Sequence, residues 1–205
     1  MSLPTELMGG PYMTVFDVGA FQGDFATAAL GRWTEAKVLS FEPLLDPPVA
    51  FQSHPRWSWE KVALGERVGK RTMHVSTFIP SSSFFPMLDL HAVTYPYTAG
   101  GHEQEVEVGR LRDYTVGIEK PALLKIDTQG GELLVMRGAR KYVEPFHAVA
   151  LDVTHVPLYD GSPLVEEVEA FLQEAGFRFV CVLDIMEHPE TGELLQSDQF
   201  WVRAT

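Results

Sequence analysis

The sequence predicts a doubly wound α/β fold, with a mostly parallel sheet between layers of helices, and three observations predict it. Apolar runs rich in Val, Leu, Ile and Phe recur along the chain, as is typical of strands buried on both faces. Segments with helical spacing alternate with these runs, an order that predicts right-handed crossovers. The last two apolar runs flank a short turn, which predicts an antiparallel hairpin.

The strands of the predicted sheet follow from these runs. Four runs predict parallel strands, at residues 13–20, 37–43, 122–127 and 148–153. The hairpin is predicted from residues 177–185 and 197–204, which lie on either side of a turn containing Thr191 and Gly192.

Helices are predicted at residues 25–33, with Asp24 as the cap, and at residues 131–143 and 164–176. The last is the clearest, because its apolar residues share one face and Gly176 provides a C-terminal stop. Residues 76–101 are rich in Ser, Pro, Phe and Tyr and show no clear period. They are predicted to form a long loop or lid that lines the substrate pocket.

Length and composition predict one domain over residues 1–205, with a flexible segment at residues 1–12. The hydrophobic fraction of 45% and charged fraction of 21% are typical of a globular protein. A formal net charge of −12 disfavours a nucleic-acid-binding face. The lone Cys181 and the lack of an export signal or an 18-residue apolar run favour a cytoplasmic protein without a membrane span. The sequence leaves the formation of homo-oligomers open.

The motif DVGAFQG, at residues 17–23, follows the first predicted strand and precedes a helix. Gly19 and Gly23 permit a sharp turn and a close approach to a ligand. The nucleotide fingerprint GxGxxG is absent, because Phe21 occupies the place of its middle glycine. Glu42 ends the next strand, 19 residues after Gly23, where an acid can accept hydrogen bonds from ribose hydroxyls. Together these features predict a ligand that contains adenosine.

Six segments of the chain, taken in order, resemble the FkbM family of methyltransferases. They are DVGAFQG, FEP, VALGERVGKRTMHVS, LLKIDTQGGELLVMRGA, LDVTHVPLYDG and SDQFWVR. The resemblance covers roughly residues 13–203. The most specific part is KIDTQGGE followed by VMRGA. The resemblance implies a Rossmann-like class I methyltransferase fold, with a mostly parallel seven-stranded sheet and a C-terminal antiparallel hairpin.

The same resemblance implies that S-adenosylmethionine is the cofactor and that the acceptor is a hydroxyl of a small metabolite or sugar. Asp17, Gly19 and Gly23 would surround its methionine part, and Ala63 and Leu64 would lie near adenine. The full set of predicted cofactor-binding residues is Asp17, Gly19, Ala20, Gln22, Gly23, Glu42, Pro43, Ala63, Leu64 and Asp127.

Two positions depart from the family pattern and leave the acceptor open. Asp152 stands where a glutamate is more common, and His155 stands where an aromatic residue such as phenylalanine is.

Asp127 and Asp152 end adjacent predicted strands, so both carboxylates are expected in one cleft. A hydroxyl acceptor needs a general base, or a cation that lowers its pKa, and Asp127, Asp152 and His155 are the candidate catalytic residues. Two interpretations stay open. Asp127 and Asp152 hold Mg²⁺, or they bind the cofactor and the acceptor directly while His155 serves as base. Lys125 is expected to snorkel or pair with an acid, and Tyr159 to shape the cleft by packing.

Two other functions share the strand, the glycine loop and the acidic residue. One is a nicotinamide-dependent oxidoreductase, although the missing GxGxxG fingerprint and the terminal hairpin count against it. The other is a non-catalytic nucleotide-binding scaffold, because a fold does not prove a chemistry.

Overall fold

The computed structural model describes residues 8–49, 54–139 and 143–204 of the chain. Within them the strands are β1 (Thr14–Val18), β2 (Lys37–Phe41), β3 (Trp57–Glu60), β4 (Ala63–Leu64), β5 (Gly69–Ser76), β6 (Gly101–Gly109), β7 (Ala122–Ile126), β8 (Phe146–Thr154), β9 (Phe177–Glu187) and β10 (Leu194–Arg203). The α-helices are α1 (Asp24–Arg32), α2 (Asp89–Thr94), α3 (Glu132–Ala139) and α4 (Val165–Glu174).

Seven strands form the main sheet in the order β3-β2-β1-β7-β8-β10-β9. The first five run parallel, and β10 is antiparallel to both β8 and β9. The predicted fold class, with its mostly parallel sheet and C-terminal hairpin, is confirmed. The strand order reverses between β1 and β7, and ligands of open α/β sheets bind beyond the strand ends at such a point.

Both faces of the central strands β1, β7 and β8 are buried, which explains their continuous apolar runs in the sequence. Phe16 and Leu124 belong to the core on the face covered by α3 and α4. Their chain neighbours Val15 and Leu123 belong to the opposite core, which α1 covers. Successive side chains of a strand point to opposite faces, so each central strand contributes to both cores.

A second, three-stranded sheet has the order β4-β6-β5, and the sequence analysis does not predict it. The paired strands β5 and β6 expose most of their residues, and their charged side chains pair across the sheet, as Lys70 does with Glu105 at 2.8 Å. Only a few apolar residues on one face pack inward. The apolar runs that mark the main sheet are therefore missing from this part of the sequence.

The segment of residues 76–101 is more ordered than the predicted irregular loop. It contains α2 and two 3₁₀ turns, Ile79–Ser81 and Pro96–Thr98. An isolated β-bridge joins Met87 to Tyr159, which anchors the segment beyond the end of β8. The segment thus forms a fixed wall over the carboxyl ends of the strands.

Two helix boundaries differ from the prediction. Asp24 is the first residue of α1 and not its cap, because Gly23 occupies the N-cap with φ 80° and no side chain caps the helix. Helix α3 ends at Ala139, and residues 140–142 of the predicted helix lie outside the described residues.

Residues 1–7 of the predicted flexible segment also lie outside the described residues. In the part that follows, the Tyr12 hydroxyl donates to the Met8 carbonyl at 2.6 Å, and the Tyr12 ring packs edge-on against Trp33. No helix in the described part of the chain is long and apolar enough to cross a membrane.

Candidate cofactor and acceptor clefts

A cleft of about 650 Å³, here called the first cleft, lies beyond the carboxyl ends of β1 and β2. Its inner end is apolar and includes side chains from β4, β5 and the segment that follows β5. Six of the predicted cofactor-binding residues line it: Gly19, Glu42, Pro43, Ala63, Leu64 and Asp127.

Glu42 is fixed in the wall of the first cleft and is only 6% exposed. Its Oε2 accepts a hydrogen bond from the Phe21 amide at 3.0 Å, and its Oε1 accepts one from the Leu44 amide at 2.7 Å. Burial raises the pKa of Glu42, although these amide donors act in the opposite direction. An ionised carboxylate accepts about four hydrogen bonds, so both oxygens keep capacity for a ligand hydroxyl.

Other parts of the protein, and not a ligand, occupy the space beside Gly19 and Gly23. Gly19 has φ +76°, and a Cβ there would overlap the carbonyl oxygen of Asp127. Gly23 has φ +80°, and a Cβ there would lie 2.7 Å from the ring of Trp57. The sequence analysis placed a ligand against these missing side chains, but the structure shows close packing at both. Glycine is needed at residue 19 so that the loop after β1 can approach the end of β7.

Four predicted cofactor-binding residues are not brought to the wall of the first cleft. Asp17 is 0% exposed and lies beneath the loop, Ala20 and Gly23 are buried, and Gln22 is exposed to solvent elsewhere.

Asp17 instead pairs with Lys125, whose Nζ is 3.2 Å from its Oδ1. The same Nζ donates a hydrogen bond to the carbonyl of Gly19 at 2.9 Å. Burial alone would lower the pKa of Lys125, but the carboxylates of Asp17 and Asp127 outweigh it and raise that pKa. The charged Lys125 therefore holds the loop after β1 in place. Of the two arrangements expected from the sequence, snorkelling or pairing with an acid, the structure shows the pairing.

A second cleft, of about 1,040 Å³, lies beyond the ends of β7 and β8. Its walls come from the segment of residues 76–101 and from the hairpin of β9 and β10. The described residues that line it are Phe78, Pro80, Ser81, His91, Tyr95, Tyr97, Thr98, Asp127, Gln129, Asp152, Asp184, Ile185, Met186, Gln196, Ser197 and Asp198. Pro80, Asp127 and Gln129 line both clefts, so the clefts meet at these residues.

Gln129 organises this junction. Its Nε2 donates to Asp127 Oδ1 at 2.9 Å, and its Oε1 accepts from the hydroxyl of Tyr159 at 3.0 Å. Its backbone has φ 53°, a conformation that costs free energy for a residue other than glycine and often marks a functional site. The hydroxyl of Ser83 donates to the Gln129 carbonyl at 2.6 Å and helps to hold that conformation.

The structure brings Asp152 and Asp127 to the second cleft together. Asp152 Oδ2 accepts a hydrogen bond from Gln196 Nε2 at 2.5 Å. Burial and the carboxylates of Asp127 and Glu132 raise the pKa of Asp152 well above its ordinary value. Burial also raises the pKa of Asp198, which pairs with Asp152 across the sheet, to about 7. Two neighbouring carboxyl groups at this end of the cleft, Asp152 and Asp198, therefore have raised pKa values.

His155 is not among the residues found to line either cleft. Its Nε2 lies 2.8 Å from Oγ of Ser197, and Ser197 lines the second cleft. The imidazole of His155 is therefore in contact with a residue of the second cleft and does not line the cleft itself.

The predicted Mg²⁺ site finds no support in the structure. In the described ranges, no three side chains of His, Cys, Asp or Glu are arranged to hold a metal ion. Glu132, close to Asp127 in sequence, is engaged with the backbone, since its Oε1 accepts from the Thr128 amide at 2.7 Å.

Sequence reasoning missed three residues of the second cleft, namely His91, Gln129 and Asp198. Gln129 and Asp198 lie inside the motifs KIDTQGGE and SDQFWVR. Asp198 lies beside Asp152 because of the register in which β10 pairs with β8, and the sequence does not give that register. His91 lies in a stretch without periodicity, and no sequence signal identified it.

Comparison with known proteins adds a family match and several structural similarities. The model described as the methyltransferase FkbM domain matches residues 17–179. No curated protein matches the chain. A 1,6-didemethyltoxoflavin-N1-methyltransferase from Burkholderia thailandensis is 14% identical, with a TM-score of 0.44 over 99% of this chain and 75% of that one.

Two further structures are similar over nearly all of this chain but over about half of their own length. The O-methyltransferase NcsB1 from neocarzinostatin biosynthesis is 12% identical, with a TM-score of 0.45 over 94% of this chain and 49% of that one. Human N-acetylserotonin methyltransferase is 8% identical, with a TM-score of 0.43 over 95% and 48%.

Proposed function

The chain belongs to the FkbM methyltransferase family, and we propose that it transfers a methyl group from S-adenosylmethionine to a hydroxyl oxygen of a small metabolite or sugar. The observation that carries this proposal is the meeting of the two clefts at Asp127 and Gln129. A donor in the first cleft and an acceptor in the second would face each other at that junction. Orienting two reactants in this way supplies much of the rate of a displacement reaction.

The residues of the first cleft fit this cofactor. The fixed carboxylate of Glu42 suits the two ribose hydroxyls, and the apolar end around Ala63 and Leu64 suits adenine. The loop after β1, held by Lys125, lies where the methionine part would be bound. When bound, S-adenosylmethionine supplies an electrophilic methyl group on a positively charged sulfur.

The carboxylate of Asp127 places a negative charge at the junction of the two clefts. Its carboxylate is fixed by Gln129 on one oxygen, while the other lies 3.9 Å from Nζ of Lys125. A carboxylate at this point favours a positively charged group in the first cleft and accepts a hydrogen bond from a hydroxyl in the second.

Asp152 and Asp127 are two of the carboxylates that line the second cleft and are the candidates to accept the proton of the acceptor hydroxyl. Burial and the neighbouring carboxylates raise the pKa of Asp152, so its ionised form is a stronger base than an ordinary carboxylate. His155 contacts Ser197, a residue that lines the cleft, with 2.8 Å between its Nε2 and Oγ of Ser197. We assign the first proton transfer to Asp152 and a supporting role to His155.

The proposal also includes a single catalytic domain in this chain, a small-molecule acceptor rather than nucleic acid, and a cytoplasmic location. Composition supports these parts, through the net charge of −12 and the lone Cys181.

Calorimetry with S-adenosylhomocysteine, followed by a screen of sugars, phenols and hydroxy acids for S-adenosylhomocysteine release, tests the proposal. We expect binding to a single site and turnover of at least one hydroxyl compound. Binding of NADH without binding of S-adenosylhomocysteine would instead indicate an oxidoreductase. Cofactor binding with no turnover of any acceptor would favour a non-catalytic scaffold.

A further inference from the structure

Three aspartates lie side by side across the hairpin end of the main sheet. Asp152 on β8 pairs with Asp198 on β10, and Asp198 pairs with Asp184 on β9. Directly paired residues of adjacent strands project to the same face of a sheet, and all three aspartates line the second cleft. We call this set the aspartate row. Like charges placed directly opposite each other destabilise a sheet. Burial and neighbouring carboxylates raise the pKa of Asp152 and of Asp198, so bound protons relieve part of this repulsion, and a cation bound beside the row would relieve it instead.

The protein does not supply that charge within the cleft. No lysine or arginine occurs among the described residues that line the second cleft. The nearest buried cation is Lys125, which lies beneath the junction and is committed to Asp17 and the Gly19 carbonyl. A positive charge beside the ionised form of the row must therefore come from a ligand or from solvent.

The segment of residues 76–101 contributes aromatic side chains to the same cleft. Phe78 and Tyr97 pack edge to face with ring centroids 5.3 Å apart, and Tyr95 lies 6.1 Å from Tyr97. Phe78 is 43% exposed and Tyr97 is 61% exposed, so their surfaces are available to a ligand. The faces of aromatic rings attract organic cations. Carboxylates and aromatic rings in one cleft are typical of a site that binds an ammonium group.

His91 gives an independent sign that a ligand completes this cleft. The residue lies in α2, lines the cleft and is only 2% exposed, yet its buried Nδ1 has no hydrogen-bond partner in the part of the chain that the structure describes. Buried polar atoms of folded proteins are nearly always paired. Burial lowers the pKa of His91 to about 4, so the ring is neutral at pH 7 and does not repel a positively charged ligand.

We propose that the second cleft binds an acceptor that carries a protonated amine, with the ammonium group against Asp198 and Asp184 and the hydroxyl group directed to Asp127. Amino sugars and hydroxylated aryl amines have this chemistry. The inference rests on the proposed function, since it names the class of acceptor for that reaction. The sulfonium charge of the cofactor does not account for the row, because Asp184 and Asp198 line only the second cleft.

The test compares tyramine with tyrosol, a pair in which the amine is replaced by a hydroxyl and the phenol is kept. Calorimetry at pH 7 measures both compounds with the protein alone and with the protein saturated with S-adenosylhomocysteine. We expect tyramine to bind at least tenfold more tightly than tyrosol. Asp198→Asn and Asp184→Asn should each reduce that preference to less than threefold.

Glu190→Gln is the matched control, because it removes an exposed carboxylate from the same hairpin without touching the cleft. This variant should keep the full preference for tyramine. Asp184 lies on an edge strand and is partly exposed, so its variant gives the same test if Asp198→Asn fails to fold.

Equal affinity for the two compounds, including no detectable binding of either, would overturn the inference. A preference for tyramine that survives in both asparagine variants would also overturn it. Failure of the proposed function is separate, because it appears as a lack of S-adenosylhomocysteine binding, while the tyramine comparison can still be made with the protein alone. Turnover of neutral hydroxyl compounds only, with equal binding of the pair, would retain the methyltransferase and reject the amine.

Discussion

Gln129 Nε2 lies 2.9 Å from Asp127 Oδ1, and this hydrogen bond fixes the carboxylate at the point where the two clefts meet. The same glutamine accepts the hydroxyl of Tyr159, so the orientation of Asp127 depends on a chain of three side chains.

Gln129→Asn should lower kcat for methyl transfer by about 10- to 100-fold, because the shorter side chain cannot bridge Asp127 and Tyr159, and small losses of orientation cost rate steeply. Asparagine tolerates the positive φ at this position, so the variant should fold. Steady-state kinetics measure kcat, and calorimetry with S-adenosylhomocysteine measures cofactor affinity. Cofactor affinity should change less than threefold, and an unchanged kcat would show that Asp127 needs no such support.

Glu42→Ala should weaken S-adenosylhomocysteine binding at least tenfold, since charge-assisted hydrogen bonds contribute about 1.5–3 kcal/mol each. Calorimetry measures the affinity, and circular dichroism checks the fold. Glu35→Ala, which removes an exposed glutamate outside the first cleft, is the control and should bind normally. Equal affinities of the two variants would remove Glu42 from the cofactor site.

Gly19→Ala should lower the free energy of unfolding by about 1–3 kcal/mol or more, through the strained φ and the overlap with the Asp127 carbonyl. This revises the expectation from sequence that Gly19 allows a close approach to a ligand. Gly192→Ala is the matched control, because Gly192 has φ +70° but nothing within 4 Å of its added Cβ. Chemical denaturation of both variants isolates the cost of the overlap. Similar losses of unfolding free energy in the two variants would mean that the loop after β1 can move away from β7.

Stability should fall as pH rises from about 4 to about 7, owing to carboxyl groups whose pKa is raised in the folded state. Burial raises the pKa of Asp198 to about 7 and that of Glu132 to about 7 as well. The folded protein then binds more protons than the unfolded chain over this range, so the free energy of unfolding decreases with pH. Melting temperatures at pH 5 and pH 7.5 measure the effect.

Asp198→Asn should make the melting temperature less dependent on pH, and Asp160→Asn, at an exposed position, should not. An identical pH dependence in all three proteins would show that Asp198 does not titrate in this range.

The sequence predicts the fold well where burial leaves a strong pattern. The strands of the main sheet, except β3, follow from apolar runs, and the runs of β1, β7 and β8 exist because both faces of the sheet are covered at these strands. The strands β5 and β6 expose charged residues and carry no such runs, so their pairing depends on contacts between distant parts of the chain.

The candidate site likewise contains residues that can be predicted from the sequence and residues that cannot. Glu42 can be predicted because it follows a strand end at a fixed distance from the glycine loop. The pairing of Asp198 with Asp152 depends on the register of β10 against β8, and His91 depends on how α2 packs over the sheet. Neither relationship is local in sequence, and the space beside Gly19 is filled by a backbone carbonyl that only the packed sheet brings there.

The 3₁₀ turn that contains Pro80 forms a wall of both clefts. A molecule bound in the first cleft that holds this turn in one position also sets the shape of the second cleft. We therefore expect the occupancy of the two clefts to be coupled, and by thermodynamic linkage each ligand then changes the affinity for the other by the same factor. An acceptor should shift the apparent dissociation constant of S-adenosylhomocysteine by the factor by which S-adenosylhomocysteine shifts that of the acceptor.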